Sequence, residues 1–238
     1  MLDDLRTLRE AIDGYRAAAT AAGLTWPDHA AAGGQPPGLV HRVFDVDRVA
    51  GQLVWLHAQG WALERLWPSS GWLMPWPDDA GEALTNLSLS VATPFPWRHQ
   101  VPLFHFDFIL YTFVLAGDRE GEIWRYDIDP DSSNTMRAAT SLAALFTEWT
   151  KGFAAGVLFY ADDDKCLHTG EDMGEPFDMI VERAPGLDPA AFPEPITDMS
   201  LLRAWQRECG VDMDRIDDPE AYAELRDAID AAQRSLGL

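Results

Sequence analysis

An α+β fold is predicted for this 238-residue chain by three features: two strand-like runs near its middle, an amphipathic helix directly after them, and helical stripes at both ends. The first run, Val101 to Leu115, is rich in aromatic and β-branched residues, the types that suit a pleated, buried surface. From Phe108 onward its apolar residues are nearly continuous, which predicts one central strand covered on both faces. Ala116 to Gly121 turns the chain, with Gly117 and Gly121 placed where unusual backbone angles cost little. Glu122 to Asp127 returns as a second strand. Ser141 to Phe153 then sets Leu142, Leu145, Phe146, Trp149 and Phe153 on one stripe at three- and four-residue spacing. The expected core therefore runs from Phe104 to Tyr126 with this helix on top, and both Phe108 and Trp149 are expected to be buried.

The remaining elements follow in order. Leu5, Leu8, Ile12, Tyr15 and Ala19 define an N-terminal helix, with Asp3 and Asp4 placed well for its dipole and Gly23 closing it. Thr25 to Gly38 reads as loop. A second helix is expected over about 47–59, carrying Val49, Leu53, Trp55 and Leu56. Between Trp61 and Trp97, five tryptophans lie among five prolines, so regular structure there must be short. Leu84 to Val91 reads as a strand, as does Val157 to Tyr160. Asp162 to Lys165 is an acidic turn, and Met179-Ile180-Val181 is a further strand candidate. Gly186 to Pro195 reads as a proline-rich linker. Two helices finish the chain. Asp198 caps the first, which ends by Gly210; Asp218-Pro219 supplies the N-cap and first residue of the second. Its stripe is Tyr222, Leu225, Ile229, Ala232 and Leu236.

The central stretch resembles the SUKH superfamily, bacterial immunity proteins grouped with the fungal Smi/Knr cell-wall regulators. The matching residues are Val101-Pro102-Leu103 at the opening of the apolar strand, Gly121-Glu122-Ile123-Trp124 at the return strand, and Ala139-Thr140-Ser141-Leu142 with Leu145-Phe146 at the helix start. The match covers about the middle quarter of the chain well and does not extend past about Gly156. It implies a mostly antiparallel sheet with helices packed on one side, leaving a concave sheet face for a protein partner. It brings no catalytic residues. Residues 1–156 then form the SUKH-like domain. Residues 157–238 form an acidic C-terminal extension of short strands and two helices, which can pack on the same core.

Charge narrows the function classes. The formal net charge is −21, and Lys151 and Lys165 are the only lysines. Nineteen acidic and 11 basic side chains up to residue 157 leave −8, whereas 20 and 7 beyond it leave −13. Such a field repels nucleic acid and anionic lipid and speeds encounter with a basic protein. The acidity also serves solubility on any reading. No run of 18 apolar residues exists, and the acidic N-terminus lacks the features of a secretory signal. Two cysteines, Cys166 and Cys209, give no disulfide framework, so a cytoplasmic location is expected.

The expected function is a non-enzymatic protein-binding protein, an immunity protein neutralising a cognate bacterial toxin, as the resemblance implies. The alternatives are a cytoplasmic regulatory or scaffold protein of the same fold, and a hydrolase whose site is assembled only in three dimensions. Candidate partner-binding residues are Asp162, Asp163, Asp164, Glu171, Asp172, Asp212, Asp214, Asp217 and Asp218. No nucleophile elbow, phosphate-cradling loop or dinucleotide fingerprint is present. Tryptophans beside Asp78, Asp79 and Glu82 have the composition of a sugar platform, but indoles filling an irregular core explain them as well. The run from Asp127 to Asn134 resembles a calcium loop but lacks glycine at its sixth position and glutamate at its twelfth. His105 with Asp107, and Cys166 with His168, each share a strand face. Zinc needs three or four ligands, so no metal and no cofactor is expected.

Overall fold

The computed structural model describes residues 5–28, 36–62, 65–128, 135–170 and 176–238. The expected dipole partners Asp3 and Asp4 lie outside these residues, as do the calcium-like run from Asp129 to Asn134 and the candidates Glu171 and Asp172. The architecture is α+β. In chain order the elements are α1 (Leu5–Ala22), α2 (Gly38–Val43), α3 (Gly51–Ala58), β1 (Trp72–Leu73), α4 (Ala80–Thr85), β2 (Gln100–Phe106), β3 (Ile109–Val114), β4 (Ile123–Asp127), β5 (Met136–Ala139), α5 (Leu142–Ala154), β6 (Leu158–Ala161), β7 (Cys166–Thr169), α6 (Pro176–Arg183), α7 (Met199–Glu208) and α8 (Pro219–Leu236). Short 3-10 turns occur at Pro68–Ser70, Asn86–Leu89 and Pro189–Ala191. The first five strands form one antiparallel sheet in simple sequential order, and β6 and β7 form a separate hairpin.

The expected single strand from Val101 to Leu115 is instead a tight hairpin. Phe106 pairs with Ile109, so the chain reverses in the two residues between them, with Asp107 left-handed at φ 46°. A short polar residue tolerates that conformation better than a branched one. The reversal places Phe108 at the tip, 67% exposed, which overturns its expected burial. β3 remains the central strand and all six of its residues are buried. The β3–β4 turn forms as expected, with Gly117 and Gly121 both at positive φ.

One face of the sheet carries the aromatic core. α1 and α5 pack side by side over Phe104 and Phe106, and Ser141 caps α5 by accepting the Ala144 N–H. Tyr15, Trp67, Phe104, Phe146 and Trp149 interlock in edge and tilted contacts with ring centroids between 5.2 and 6.4 Å apart. Two polar tips are satisfied there: the Tyr15 hydroxyl donates to Leu66 O at 2.6 Å and Trp149 Nε1 to Ala191 O at 2.7 Å.

The opposite face is also filled. Trp124 meets Phe95 edge-on at 5.2 Å, and Thr112 and Tyr126 both donate to Gln100 Oε1, whose amide reaches Ser90. Gln206 of α7, fully buried, donates to Thr135 O at 3.0 Å. The open concave face implied by the resemblance is therefore occupied by the chain's own segments.

Other expectations need correction. The 47–59 helix begins only at Gly51, and a separate α2 precedes it. Leu84 to Leu89 is helical: Asp79 accepts the Glu82 N–H as N-cap of α4, a 3-10 turn continues it to Leu89, and the buried Leu84, Leu87 and Val91 are spaced by three and four. A cap and a helical stripe outweigh β propensity there. Residues 179–181 lie in α6, with Ile180 buried and Val181 partly exposed. Gly186 to Pro195 does more than link: Ala190, Ala191 and Phe192 are buried in the same core as the sheet. The helices capped by Asp198 and Asp218 form as expected. Among the described residues no helix is long and apolar enough to cross a membrane.

Candidate functional site

The densest convergence of polar side chains lies where the β6–β7 hairpin meets Pro68–Ser70 and the segment after Phe192. Ser69 and Ser70 are consecutive left-handed residues at φ 48° and 55°. That conformation is costly for residues with a Cβ and needs surrounding contacts to hold it. Here the contacts are hydrogen bonds to sequence-distant partners. Ser69 Oγ donates to Glu194 Oε1 at 2.7 Å and lies 3.0 Å from Thr169 Oγ1, while Ser70 Oγ donates to Cys166 Sγ at 3.0 Å. Gly71 then lets the chain pass directly against Phe106, since a Cβ there would collide with the ring.

Glu194 and Arg125 form the buried end of this seam. Arg125, 1% exposed, donates Nη1 to Phe192 O at 2.6 Å and Nη2 to Glu194 O at 2.5 Å. Both bonds fasten the 192–194 backbone to β4. Burial pushes the Glu194 carboxyl above its ordinary range, opposed by the hydroxyls of Ser69 and Thr169 and by the charges of Arg125 and His168. A buried carboxylate with several donors remains a costly group, which makes the seam sensitive to losing any of them.

The outer end holds Asp164, Cys166 and His168. Period-two alternation along β7 puts Cys166 and His168 on one face, as the sequence predicts. The acidic turn then folds Asp164 back, where it accepts the Cys166 N–H at 3.3 Å. His168 Nε2 lies 2.6 Å from Asp164 Oδ2 and 3.3 Å from Cys166 Sγ. The three ligand atoms all lie within 4.8 Å of one another, the one such group of His, Cys, Asp or Glu among the described residues. This turn brings Asp164 beside the Cys166–His168 pair, a neighbour that spacing along the sequence did not show. Burial and the nearby Asp164 push the Cys166 thiol up, opposed by the Ser70 hydroxyl.

His105 and Asp107 join no larger group of His, Cys, Asp or Glu among the described residues. Asp107 belongs to the hairpin turn, and His105 lies against Trp72 with centroids 4.5 Å apart. Burial depresses His105, and it takes the deeply buried His57, stacked 3.9 Å from Trp76, down to about 3. These are neutral packing histidines.

The predicted partner-binding acids fall into two groups. Asp162, Asp163 and Asp164 are exposed on the β6–β7 turn, where Asp162 pairs with Lys165. Asp212, Asp214, Asp217 and Asp218 lie on the α7–α8 connection. Asp217 pairs with Arg203 at 2.7 Å, and Asp218 caps α8 by accepting the Glu220 N–H. The Asp212 N–H donates to Ala92 O at 2.9 Å, docking this connection on the 90–97 segment. A cleft of about 340 Å³ opens between them, lined by Trp97, Phe95, Asp212, Arg215, Glu224 and neighbouring residues. Trp97 lay in the tryptophan-proline stretch, but nothing in its sequence placed it beside Asp212.

Comparison with protein-family models, curated proteins and solved structures finds no match to this chain.

Proposed function

We propose that this chain is a non-enzymatic protein-binding protein of SUKH type, acting as an immunity protein that holds a basic bacterial toxin. The run of antiparallel strands β2 to β5 followed by α5 supports the reading, because the quoted motifs fall on β2, on β4 and at the passage from β5 into α5. The observation that carries it is the cleft beside the α7–α8 connection. There Asp212 lines the cleft with Trp97, Arg215 and Glu224, and Asp214, exposed, lies close along the chain. Glu224 pairs with Arg215 and Arg98 lies 5.9 Å from the Trp97 ring centroid, and the same cation–π and charge-assisted contacts are offered to a partner's lysine or arginine at Asp212 and Asp214. Because the concave sheet face is filled, the partner in this reading meets the acidic connections instead.

The test is to express the chain with the polypeptide encoded next to it in its host and to measure growth and association. Protection from that polypeptide's toxicity is expected. Association should slow about tenfold or more on raising salt until the Debye length falls from about 30 to 8 Å. The double reversal D212K/D214K should slow it further with little change in melting temperature. Absence of protection and of association overturns the reading. Association indifferent to both salt and reversal removes the acidic surface from it.

A further inference from the structure

We propose that Asp164, Cys166 and His168 form a zinc-binding site, independent of the protein-binding reading above. The three side chains offer one oxygen, one sulfur and one nitrogen converging on a common point, within 4.8 Å of one another. Around a tetrahedral zinc ion, with bonds of about 2.3 Å to sulfur and 2.0–2.1 Å to nitrogen or oxygen, such atoms stand about 3.3–3.6 Å apart. The separations of 2.6 Å (Asp164 to His168) and 3.3 Å (Cys166 to His168) each lie within about an ångström of that spacing, and the third pair, Asp164 with Cys166, lies within 4.8 Å.

Geometry separates this reading from catalysis. In a nucleophile–histidine–carboxylate relay, thiol and carboxylate occupy opposite ring nitrogens. Here both approach the same atom, Nε2 of His168. Convergence on one nitrogen is what shared metal ligation needs.

The surroundings fit a soft divalent ion with an open position. Thiolate and imidazole favour zinc over magnesium or calcium. Cys166 is buried, whereas the side chains of His168 and Asp164 are 26% and 45% exposed, so the cluster faces solvent and leaves room for a water as fourth ligand. Ser70 donates to the sulfur from behind, held by the left-handed pair Ser69–Ser70, and a donor of this kind orients a thiolate ligand. Binding displaces the thiol proton to solvent, so affinity must fall as pH is lowered.

Cobalt titration of the full-length, chelator-treated protein tests this, because sulfur ligation gives a thiolate-to-cobalt charge-transfer absorption. One equivalent of Co²⁺ should produce that band, and one equivalent of Zn²⁺ should abolish it. Since loss of an outer-shell partner weakens metal sites by about 10–100-fold, loss of a direct ligand in D164N or H168Q should exceed about 100-fold. C166S should lose the band, and C209S should keep it. D164N and H168Q alter accessible residues and decide the matter if C166S fails to fold. Cobalt bound without a thiolate band, a band that survives H168Q and D164N, or one lost in C209S overturns the site. Metal held only by scattered surface carboxylates gives the first of these results.

Discussion

The space between α1, α5 and the sheet, and the seam where the β6–β7 hairpin meets Pro68–Ser70, are both buried, yet they are held together by different physics. The first is aromatic. Its contacts are many, weak and redundant; the tips of Tyr15 and Trp149 reach backbone carbonyls, and that of Trp67 is buried without a partner. The second is polar. Ser69, Ser70, Thr169, Glu194 and Arg125 depend on a small number of directional bonds between segments 67 to 125 residues apart in sequence. Loss of one member there exposes the desolvation cost of another. A large side chain is thus the sensitive element in the core, and a single hydroxyl is the sensitive element in the seam.

The largest expected effect is in the core. Trp149→Ala removes a fully buried indole that touches Tyr15, Trp67, Phe104, Phe106 and Phe146, and should cost about 3–5 kcal/mol in chemical denaturation. A loss below about 1 kcal/mol would show that this face is not the principal core.

In the seam, Ser69→Ala should cost about 1–3 kcal/mol at neutral pH, although the side chain loses a single oxygen, because Glu194 is left short of a donor. The pH dependence gives the sign. Glu194 is raised in the folded state, so between its unfolded and folded values the native protein holds the proton and the unfolded chain does not. Its contribution to stability therefore falls as pH rises through that window, and its cost is complete above it. Ser69→Ala should carry the upper end of the window to higher pH, and Glu194→Gln should flatten this part of the profile. Melting temperatures of the three proteins across acid to neutral pH measure it; parallel curves would separate Glu194 from the seam's stability.

The smallest effect is expected at Phe108→Ala, within about 0.5 kcal/mol, because this ring stands at the β2–β3 tip and not in the core. A loss comparable to that of Trp149→Ala would mean that the hairpin reversal at Asp107 is misplaced.

The contrast between Phe108 and Trp149 shows where the sequence is readable. Trp149 belongs to a stripe that repeats with the helical period and carries its own N-cap, so local signals agree on its face. Phe108 lies in an apolar run whose few polar interruptions, His105, Asp107 and Thr112, are single residues, and a strand and a two-residue hairpin then share one pattern. Residues 186–195 were obscured for a related reason: without periodicity, Ala190, Ala191 and Phe192 gave no sign of burial, yet Arg125 and Trp149 fasten them to the core. At the site, the alternation of β7 paired Cys166 with His168, and the acidic turn was visible, but no rule of spacing brought Asp164 across it.

By itself the sequence determined the α+β class, the α5 stripe, the caps at Asp198 and Asp218, and the acidity of the last third. Each rests on local periodicity, turn chemistry or charge, which act over a few residues and are written in adjacent letters. Only the tertiary structure decided that the second sheet face is filled, that Ser69 and Ser70 bind Glu194 and Cys166, and that Asp212 shares a cleft with Trp97. Those contacts join residues about 70 to 125 apart or more, and hydrogen bonding and close packing select among such pairings only once the whole chain has been folded around them.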